Sequence, residues 1–143
     1  MVTVRFRLFF SMLLLIIGVN VYPLNRVHAE DLRKYADPIT ENILLAMNEN
    51  NYEKYTEHFD QQMKNALPES QFREVNALIK GKIGKYISKQ FLNPDTIGSY
   101  KVFYYEAKFD QEAYDVLVKV VFSENDGKLL VSGFWLDSPN LRK

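Results

Sequence analysis

The spacing of apolar residues changes at Gly84, and this change constrains the fold of the 143-residue chain more than any other feature. Before Gly84, apolar residues recur every three or four positions, as they do on one face of a helix. After it they alternate with a period of two, most cleanly from Tyr114 to Phe122. The sequence therefore predicts an α+β protein, in which N-terminal helices pack on a curved antiparallel sheet of about four strands.

Helix signals divide the first part of the chain. Asp37 is a good N-cap and proline is tolerated at the first helical position, so the main helix is predicted to begin at Pro38 and to end near Asn50. The other predicted helical segments are a short helix from Tyr52 to Phe59, a turn capped by Asp60 and ended by Pro68, and a helix from Phe72 to Ile83.

The second part of the chain is predicted to form a meander of strands joined by short turns. Asn125-Asp126-Gly127 is a strong hairpin signal, in which Gly127 is expected to have a positive φ. On the last strand, Trp135 is expected to share the helix-covered face with Val131. The predicted strands are Tyr86–Leu92, Tyr100–Phe109, Tyr114–Ser123 and Leu129–Leu136, with Asn93-Pro94-Asp95 as the turn after the first.

The first 29 residues have the three-part layout of a secretory signal peptide. Arg5 and Arg7 form a basic start, an uncharged apolar run follows over residues 8–19, and residues 27–29 are permissive for cleavage. A retained membrane helix is the alternative, but a membrane span needs roughly 20 apolar residues and this run is shorter. We therefore expect cleavage before Glu30 and export to the periplasm or the exterior.

Composition limits the function classes that the chain can serve. The 18 basic and 18 acidic residues balance, so nothing points to nucleic acid. Cysteine is absent, which excludes disulfides, thiolate metal sites and lipid anchoring through a cysteine. We expect a single domain over residues 30–136, a loose tail over 137–143, no metal or cofactor, and no membrane contact after cleavage.

A series of short motifs follows the order seen in one protein family. These motifs are Asn51-Tyr52-Glu53-Lys54-Tyr55, His58-Phe59-Asp60, Ala66-Leu67-Pro68, Gly84-Lys85-Tyr86, Asp126-Gly127-Lys128 and Ser132-Gly133-Phe134. From Ala36 to Leu136 the chain resembles a small bacterial family of unknown function in the nuclear transport factor 2-like superfamily. The resemblance implies a cone-shaped domain, and its superfamily includes enzymes as well as binding proteins.

Three side chains are candidates for acid–base chemistry. His58, the only histidine left after cleavage, would act as a general base only inside a pocket, and a lone imidazole makes a poor metal site. Glu106 and Asp115 lie in predicted strands, where charged residues are depleted. The ketosteroid-isomerase branch of the superfamily uses a carboxylate in an apolar cone, although neither carboxylate here has a matching motif. The alternatives are a structural position at a helix end for His58 and solvent-facing positions for both carboxylates.

Aromatic residues are candidates for lining a ligand pocket in the cone. Their hydroxyls could bind a ligand, and packing with the hydroxyl at the rim is the alternative. The second and fourth predicted strands are apolar on both faces, which indicates that the outer face of the sheet is wrapped or meets a protein partner. The expected pocket residues are Tyr52, Tyr55, Phe59, Tyr104, Tyr114 and Trp135, with Tyr105 as a further hydroxyl.

These observations favour an exported, non-catalytic module that binds a small apolar ligand or a protein partner. One alternative is a small enzyme of isomerase or dehydratase type that uses the cone pocket. Another is a structural subunit that forms a homodimer through the outer face of the sheet. A perturbed carboxylate or histidine in the cone would favour the enzyme, whereas a filled cone with an apolar outer patch would favour an interaction module.

Overall fold

Four helices precede a four-stranded antiparallel sheet in the computed structural model, which describes residues 31–143. The predicted signal peptide lies outside the described residues. Residues 35–143 make one compact unit, and residues 31–34 are helical. No helix between residues 31 and 143 combines the length and the apolar character that crossing a bilayer requires. The elements are α1 over 31–49, α2 Tyr52–Thr56, α3 Gln61–Ala66, α4 Glu69–Ile83, β1 Tyr86–Ile97, β2 Tyr100–Phe109, β3 Val116–Asn125 and β4 Lys128–Asp137.

Two helices begin where the sequence signals place them. The side-chain oxygen of Asn51 caps α2 by accepting a hydrogen bond from the backbone N–H of Lys54 at 3.1 Å. Asp60 caps α3 in the same way, accepting from the backbone N–H of Met63 at 2.8 Å, which confirms its predicted role. Each cap satisfies an N–H group that has no partner inside its own helix.

The predicted start of the main helix at Pro38 is wrong, because α1 already includes the residues before it. Asp37 is not an N-cap, and its carboxylate accepts a hydrogen bond from the Tyr105 hydroxyl at 2.8 Å. The helix has a buried stripe that is apolar apart from Thr40, and in it Ala36 and Ile43 are at most 1% exposed. Burial of this stripe outweighs the cost of a proline inside a helix, which is about 3 kcal/mol.

A side-chain amide joins the end of α1 to the start of the sheet. Asn48 donates to the backbone carbonyl of Tyr86 at 2.8 Å and accepts from the backbone N–H of Tyr86 at 2.9 Å. The backbone carbonyl of Asn48 also accepts a hydrogen bond from the Lys80 ammonium of α4 at 2.9 Å. Two helices and the first residue of β1 therefore meet at Asn48.

The sheet is a meander with the strand order β1-β2-β3-β4, and one of its faces meets the helices. We call this the inner face and define it by Tyr105, which bonds to α1, and Phe134, whose ring centre lies 6.2 Å from that of Tyr55 in α2. Val118 and Val120 of β3 pair with these two positions and are 0% exposed. The opposite face of the sheet is called the outer face.

The first strand is longer than predicted. Residues 93–95 do not form a turn, because β1 stays paired with β2 as far as Ile97 and the chain turns at Gly98. Pro94 lies opposite Phe103 within this pairing. A proline is tolerated there because β1 is an edge strand of the described sheet, where one side of the backbone needs no donor.

One extra residue in β4 inverts the predicted orientation of Trp135. Val131 and Gly133 pair with neighbouring residues of β3, so Ser132 between them forms a β-bulge. Beyond the bulge, Phe134 lies on the inner face and Trp135 lies on the outer face. The prediction that Trp135 shares a face with Val131 is therefore wrong, since a shift of one residue exchanges the two faces of a strand.

The C-terminal tail, expected to be loose, is held against the loop between β2 and β3. The Glu112 carboxylate accepts hydrogen bonds from the Ser138 hydroxyl at 2.7 Å and from the backbone N–H of Asn140 at 3.0 Å. Arg142 donates two hydrogen bonds to the Asp137 carboxylate, at 2.8 and 2.5 Å. The expectation of a loose tail is therefore wrong, and the compact unit includes these residues.

Candidate functional site

His58 contributes to the fold through its main chain. Its carbonyl accepts a hydrogen bond from the Val131 N–H at 2.7 Å, and the Asp60 N–H donates to the Val131 carbonyl at 2.9 Å. Phe59 thereby forms a parallel bridge with Val131 beside β4. The Nδ1 atom of His58 is buried without a hydrogen-bond partner in the described part of the chain. Within residues 31–143, no carboxylate therefore bonds to this nitrogen and orients the imidazole as a general base.

Asp60 joins α3 to the bulge in β4. One carboxylate oxygen caps α3, and the other accepts a hydrogen bond from the Ser132 hydroxyl at 2.7 Å. Ser132 also lies 3.0 Å from the hydroxyl of Ser123 on β3. Both oxygens of Asp60 are thus used in packing the helices against the sheet, which supports the structural role expected for this residue.

The two carboxylates considered for catalysis face solvent. Glu106 is exposed on the outer face, where its cross-strand partner is Leu117. Asp115 precedes β3 in a loop and forms an ion pair with Lys108. His58, Glu106 and Asp115 therefore lie on three separate elements. Within residues 31–143, no three side chains of the histidine, aspartate or glutamate type are grouped closely enough to hold a metal ion.

Three of the expected pocket residues lie together between the helices and β4. The ring centre of Tyr55 is 5.1 Å from that of Phe59 and 4.6 Å from that of Phe72. The Tyr52 ring also packs on Phe72, and its hydroxyl donates to the backbone carbonyl of Leu67 at 2.7 Å. Burial raises the pKa of the Tyr55 hydroxyl, which therefore stays protonated. These rings pack on one another as part of the core.

A polar cluster on the inner face joins α1 to β1 and β2. The Glu41 carboxylate accepts a hydrogen bond from the Tyr86 hydroxyl at 2.7 Å, and the Lys89 ammonium lies 3.5 Å from the same carboxylate. Lys89 is also 5.0 Å from the centre of the Tyr105 ring, whose hydroxyl donates to Asp37. Burial, together with the nearby Glu41 carboxylate, raises the pKa of Tyr86, so this phenol remains a donor.

A row of three side chains crosses the outer face. Tyr104 of β2 is the cross-strand partner of Lys119 of β3, and Lys119 is that of Trp135 of β4. The Lys119 ammonium lies 5.1 Å from the centre of the indole ring, within the range of a cation–π contact. Trp135 is 54% exposed, and Leu117 on the same face is 38% exposed. We call Tyr104, Lys119 and Trp135 the outer row.

The Trp135 side chain lies along the surface of the sheet and reaches back over Gly133. A β-carbon at Gly133 would overlap the Cη2 and Cζ3 atoms of the indole. Because these are the atoms farthest from the Trp135 backbone, the ring extends along the strand instead of standing away from it. Glycine at position 133 therefore makes room for a large aromatic surface beside solvent on the outer face.

Tyr114 belongs to neither aromatic group. It lies in the loop before β3, which begins at Val116 and not at Tyr114 as predicted, and its side chain is 65% exposed. The six expected pocket residues thus separate into three core residues, two members of the outer row and one loop residue.

Sequence reasoning did not identify Lys119, Glu41 or Lys89 as site residues. The available signal for Lys119 was its place in the alternating pattern of β3. It lies on the face of that strand where apolar and polar residues are mixed. Its contact with Trp135 depends on the pairing of β3 with β4 and on the bulge, neither of which can be deduced from periodicity.

Comparisons with known proteins identify a family and, separately, a similar fold. The model of a family described as "Protein of unknown function (DUF3887)" matches residues 40–130. A solved designed protein of the nuclear transport factor 2-like type, whose title begins "Rd1NTF2_05", is 14% identical with a TM-score of 0.50, over 73% of this chain and 98% of that chain. No curated protein matches. The predicted α+β fold, and the resemblance to a family of unknown function with this fold, are confirmed.

Proposed function

The chain belongs to the DUF3887 family, and we propose that it is an exported, non-catalytic binding module whose binding surface is the outer face of the sheet. The observation that carries the proposal is Trp135, the only tryptophan, which is 54% exposed on a strand of a four-stranded sheet. Tryptophan and tyrosine are enriched where proteins bind their partners, because they offer large contact areas at a low entropic cost. Export rests on the basic, apolar and cleavage segments of residues 1–29.

The placement of the other aromatic residues supports binding at the outer face. Tyr55 and Phe59 are at most 9% exposed and pack against other aromatic rings. Tyr104 and Trp135, in contrast, lie on the outer face with one cross-strand position between them. A ligand can reach the second pair without any rearrangement of the core.

The test is an NMR screen of the isotope-labelled protein against small libraries of peptides, nucleotides and oligosaccharides. We expect the ligands that bind to shift the amide signals of Tyr104, Lys119 and Trp135. Trp135→Ala should remove these responses, whereas Tyr114→Ala, which truncates an exposed aromatic residue elsewhere, should preserve them. Ligands that shift only inner-face signals such as that of Tyr105 would overturn the proposal.

A second candidate function is the binding of a small ligand in the cone, and the polar cluster on the inner face favours it. The Lys89 side chain is 12% exposed and meets both the Glu41 carboxylate and the Tyr105 ring. This arrangement places an ammonium, a carboxylate and a phenol on the helix-covered side of the sheet. In the same screen, this function predicts inner-face shifts that Lys89→Met removes.

A further inference from the structure

The outer face mixes aromatic surface with charged groups. Adjacent strands lie about 4.8 Å apart, so the Tyr104 and Trp135 backbones, two strands apart, are separated by roughly 10 Å. Lys119 lies between them. The neighbouring row across β2, β3 and β4 is Glu106, Leu117 and Asp137. Two aromatic side chains are thus surrounded by a cation and two carboxylates.

The size and charge of this surface argue against a stable protein interface. Its two rows occupy three strands, about 14 Å in width, and two same-face positions along them, about 13 Å in length, a footprint of roughly 200 Å². A stable protein interface needs about 800 Å² on each partner and has few charges at its centre. Here Lys119 occupies the centre of the outer row, and Glu106 is exposed beside it.

We infer that the outer face binds a linear glycan, with two of its sugar rings stacking on Trp135 and Tyr104. A pyranose ring has an apolar face of C–H groups that packs on an aromatic ring, and a rim of hydroxyls that needs hydrogen-bond partners. The outer row provides both, since its two aromatic residues flank an ammonium and the adjacent row offers the exposed carboxylate of Glu106. This inference rests on the proposed function, because it names the ligand class of the same face.

Two residues prepare Trp135 for stacking. Gly133 leaves the space over which the indole lies, because a β-carbon there would overlap the ring. Lys119 lies 5.1 Å from the ring centre and restricts its orientation through a cation–π contact. A side chain held in place before binding loses less conformational entropy when the ligand arrives. Gly133 and Lys119 are therefore positioning residues for the platform.

The experiment uses the hexamers of β-1,4-linked glucose and β-1,4-linked N-acetylglucosamine as probes. Binding is followed by the emission of the single tryptophan and by the amide signals of the outer row. We expect at least one hexamer to change both. Trp135→Ala, followed by NMR alone, should weaken binding roughly tenfold or more, the effect of losing one aromatic contact.

Gly133→Ala tests the position of the indole, whereas Trp135→Ala tests its presence. It keeps Trp135 but displaces the ring, so we expect weaker hexamer binding together with a change in the unliganded emission spectrum. Tyr114→Ala is the matched control and should bind the hexamers like the wild type. For each variant, the amide signals of residues outside β4 must match those of the wild type. This match shows that the fold is kept.

Three results would overturn the glycan inference. One is that neither hexamer at millimolar concentration shifts the amide signals of the outer row, while a peptide or nucleotide does. The proposed function would then still hold. Another is equal hexamer binding by the wild type and Trp135→Ala. The third is a dimer in solution that Trp135→Ala converts to a monomer, which would assign the face to a second copy of the chain. Ligand shifts confined to the inner face would overturn the proposed function itself.

Discussion

The carboxylate of Asp110 lies in the space that a β-carbon on Gly84 would occupy. Asp110 reaches this place because its carboxylate accepts a hydrogen bond from the Lys85 N–H at 2.7 Å, and its own N–H donates to the Lys85 carbonyl at 2.9 Å. Gly84 has a φ of 78° and a ψ of −146°, a conformation that costs little only for glycine. The connection between α4 and β1 therefore depends on Gly84 and Asp110.

Gly84→Ala is expected to lower the free energy of unfolding by about 2 to 4 kcal/mol, since it adds backbone strain and displaces the Asp110 carboxylate. Urea denaturation followed by circular dichroism measures the change. Gly81→Ala in α4 is the control, because a β-carbon there meets no atom within 4 Å. The control should raise stability by about 0.5 to 1 kcal/mol. Similar effects of the two substitutions would contradict this explanation of the Gly84 position.

Gly127→Val is expected to destabilise the hairpin between β3 and β4. Gly127 has a φ of 74°, as the sequence predicts, and it follows Asp126 with a φ of 52°. A β-carbon at this position meets no atom within 4 Å, so the cost comes from backbone strain alone and amounts to about 1 to 3 kcal/mol. The melting temperature should fall by several degrees, and Gly127→Asn should restore most of the loss. An unchanged melting temperature for the valine variant would contradict the turn assignment.

The parts of the fold that local sequence determines were predictable. The change of period at Gly84 locates the transition from helices to sheet, and the Asp60 cap and the Gly127 turn follow from the chemistry of single residues. In each case, the relevant interactions connect residues a few positions apart. The family resemblance adds the nuclear transport factor 2-like arrangement, which the structural comparison confirms.

Features that depend on contacts between distant residues were not predictable. A proline normally ends a helix, but Pro38 stays inside α1 because the surrounding stripe is buried. The bulge at Ser132 leaves no mark on periodicity, and yet it exchanges the faces of Phe134 and Trp135. Ser132 is held there by Asp60, which is 72 positions earlier in the chain. Tertiary contacts of this kind override local propensity.

The candidate site shows the same division. The sequence singled out Tyr104 and Trp135 as aromatic residues available to a ligand, and both belong to the outer row. It assigned Trp135 to the inner face, because the face depends on a bulge that it does not reveal. Lys119 was not identified, since its role follows from cross-strand pairing and not from its position along β3.

The C-terminal tail should loosen in acid. Burial alone would raise the pKa of Glu112, but hydrogen bonds from the Ser138 hydroxyl and from the backbone N–H groups of Asn140 and Tyr114 outweigh it and hold the pKa below the ordinary value of 4.5. A carboxyl group whose pKa is lower in the folded state stabilises the fold above the unfolded-state value. This contribution disappears as the pH falls through the folded-state pKa.

Urea midpoints measured from neutral pH down to about pH 3 test this linkage. Glu112→Gln should be less stable than the wild type at neutral pH and should lose less stability in acid. Glu74→Gln, which changes an exposed glutamate of α4, should follow the wild type throughout. Hydrogen bonding to Arg142 also lowers the pKa of Asp137, so some acid sensitivity should remain in Glu112→Gln. Identical acid profiles of Glu112→Gln and the wild type would exclude Glu112 from this role.

The exported protein is expected to begin at Glu30. Arg5 and Arg7, the apolar run over residues 8–19 and the permissive residues 27–29 motivate this prediction. Intact-mass measurement of protein from the culture medium or the periplasmic fraction decides it. Recovery of the full-length chain from the membrane fraction would instead support a retained anchor.

The emission of Trp135 should resemble that of an exposed indole in the native protein. The side chain is 54% exposed on the outer face, so unfolding should shift the emission only slightly towards longer wavelengths. Trp135→Phe combined with Phe134→Trp moves the single indole to the inner face, next to Tyr55. That variant should emit at shorter wavelengths and show a large shift on unfolding. If the wild type already emits at short wavelengths and shifts strongly on unfolding, then Ser132 does not form the bulge, and Trp135 faces the helices.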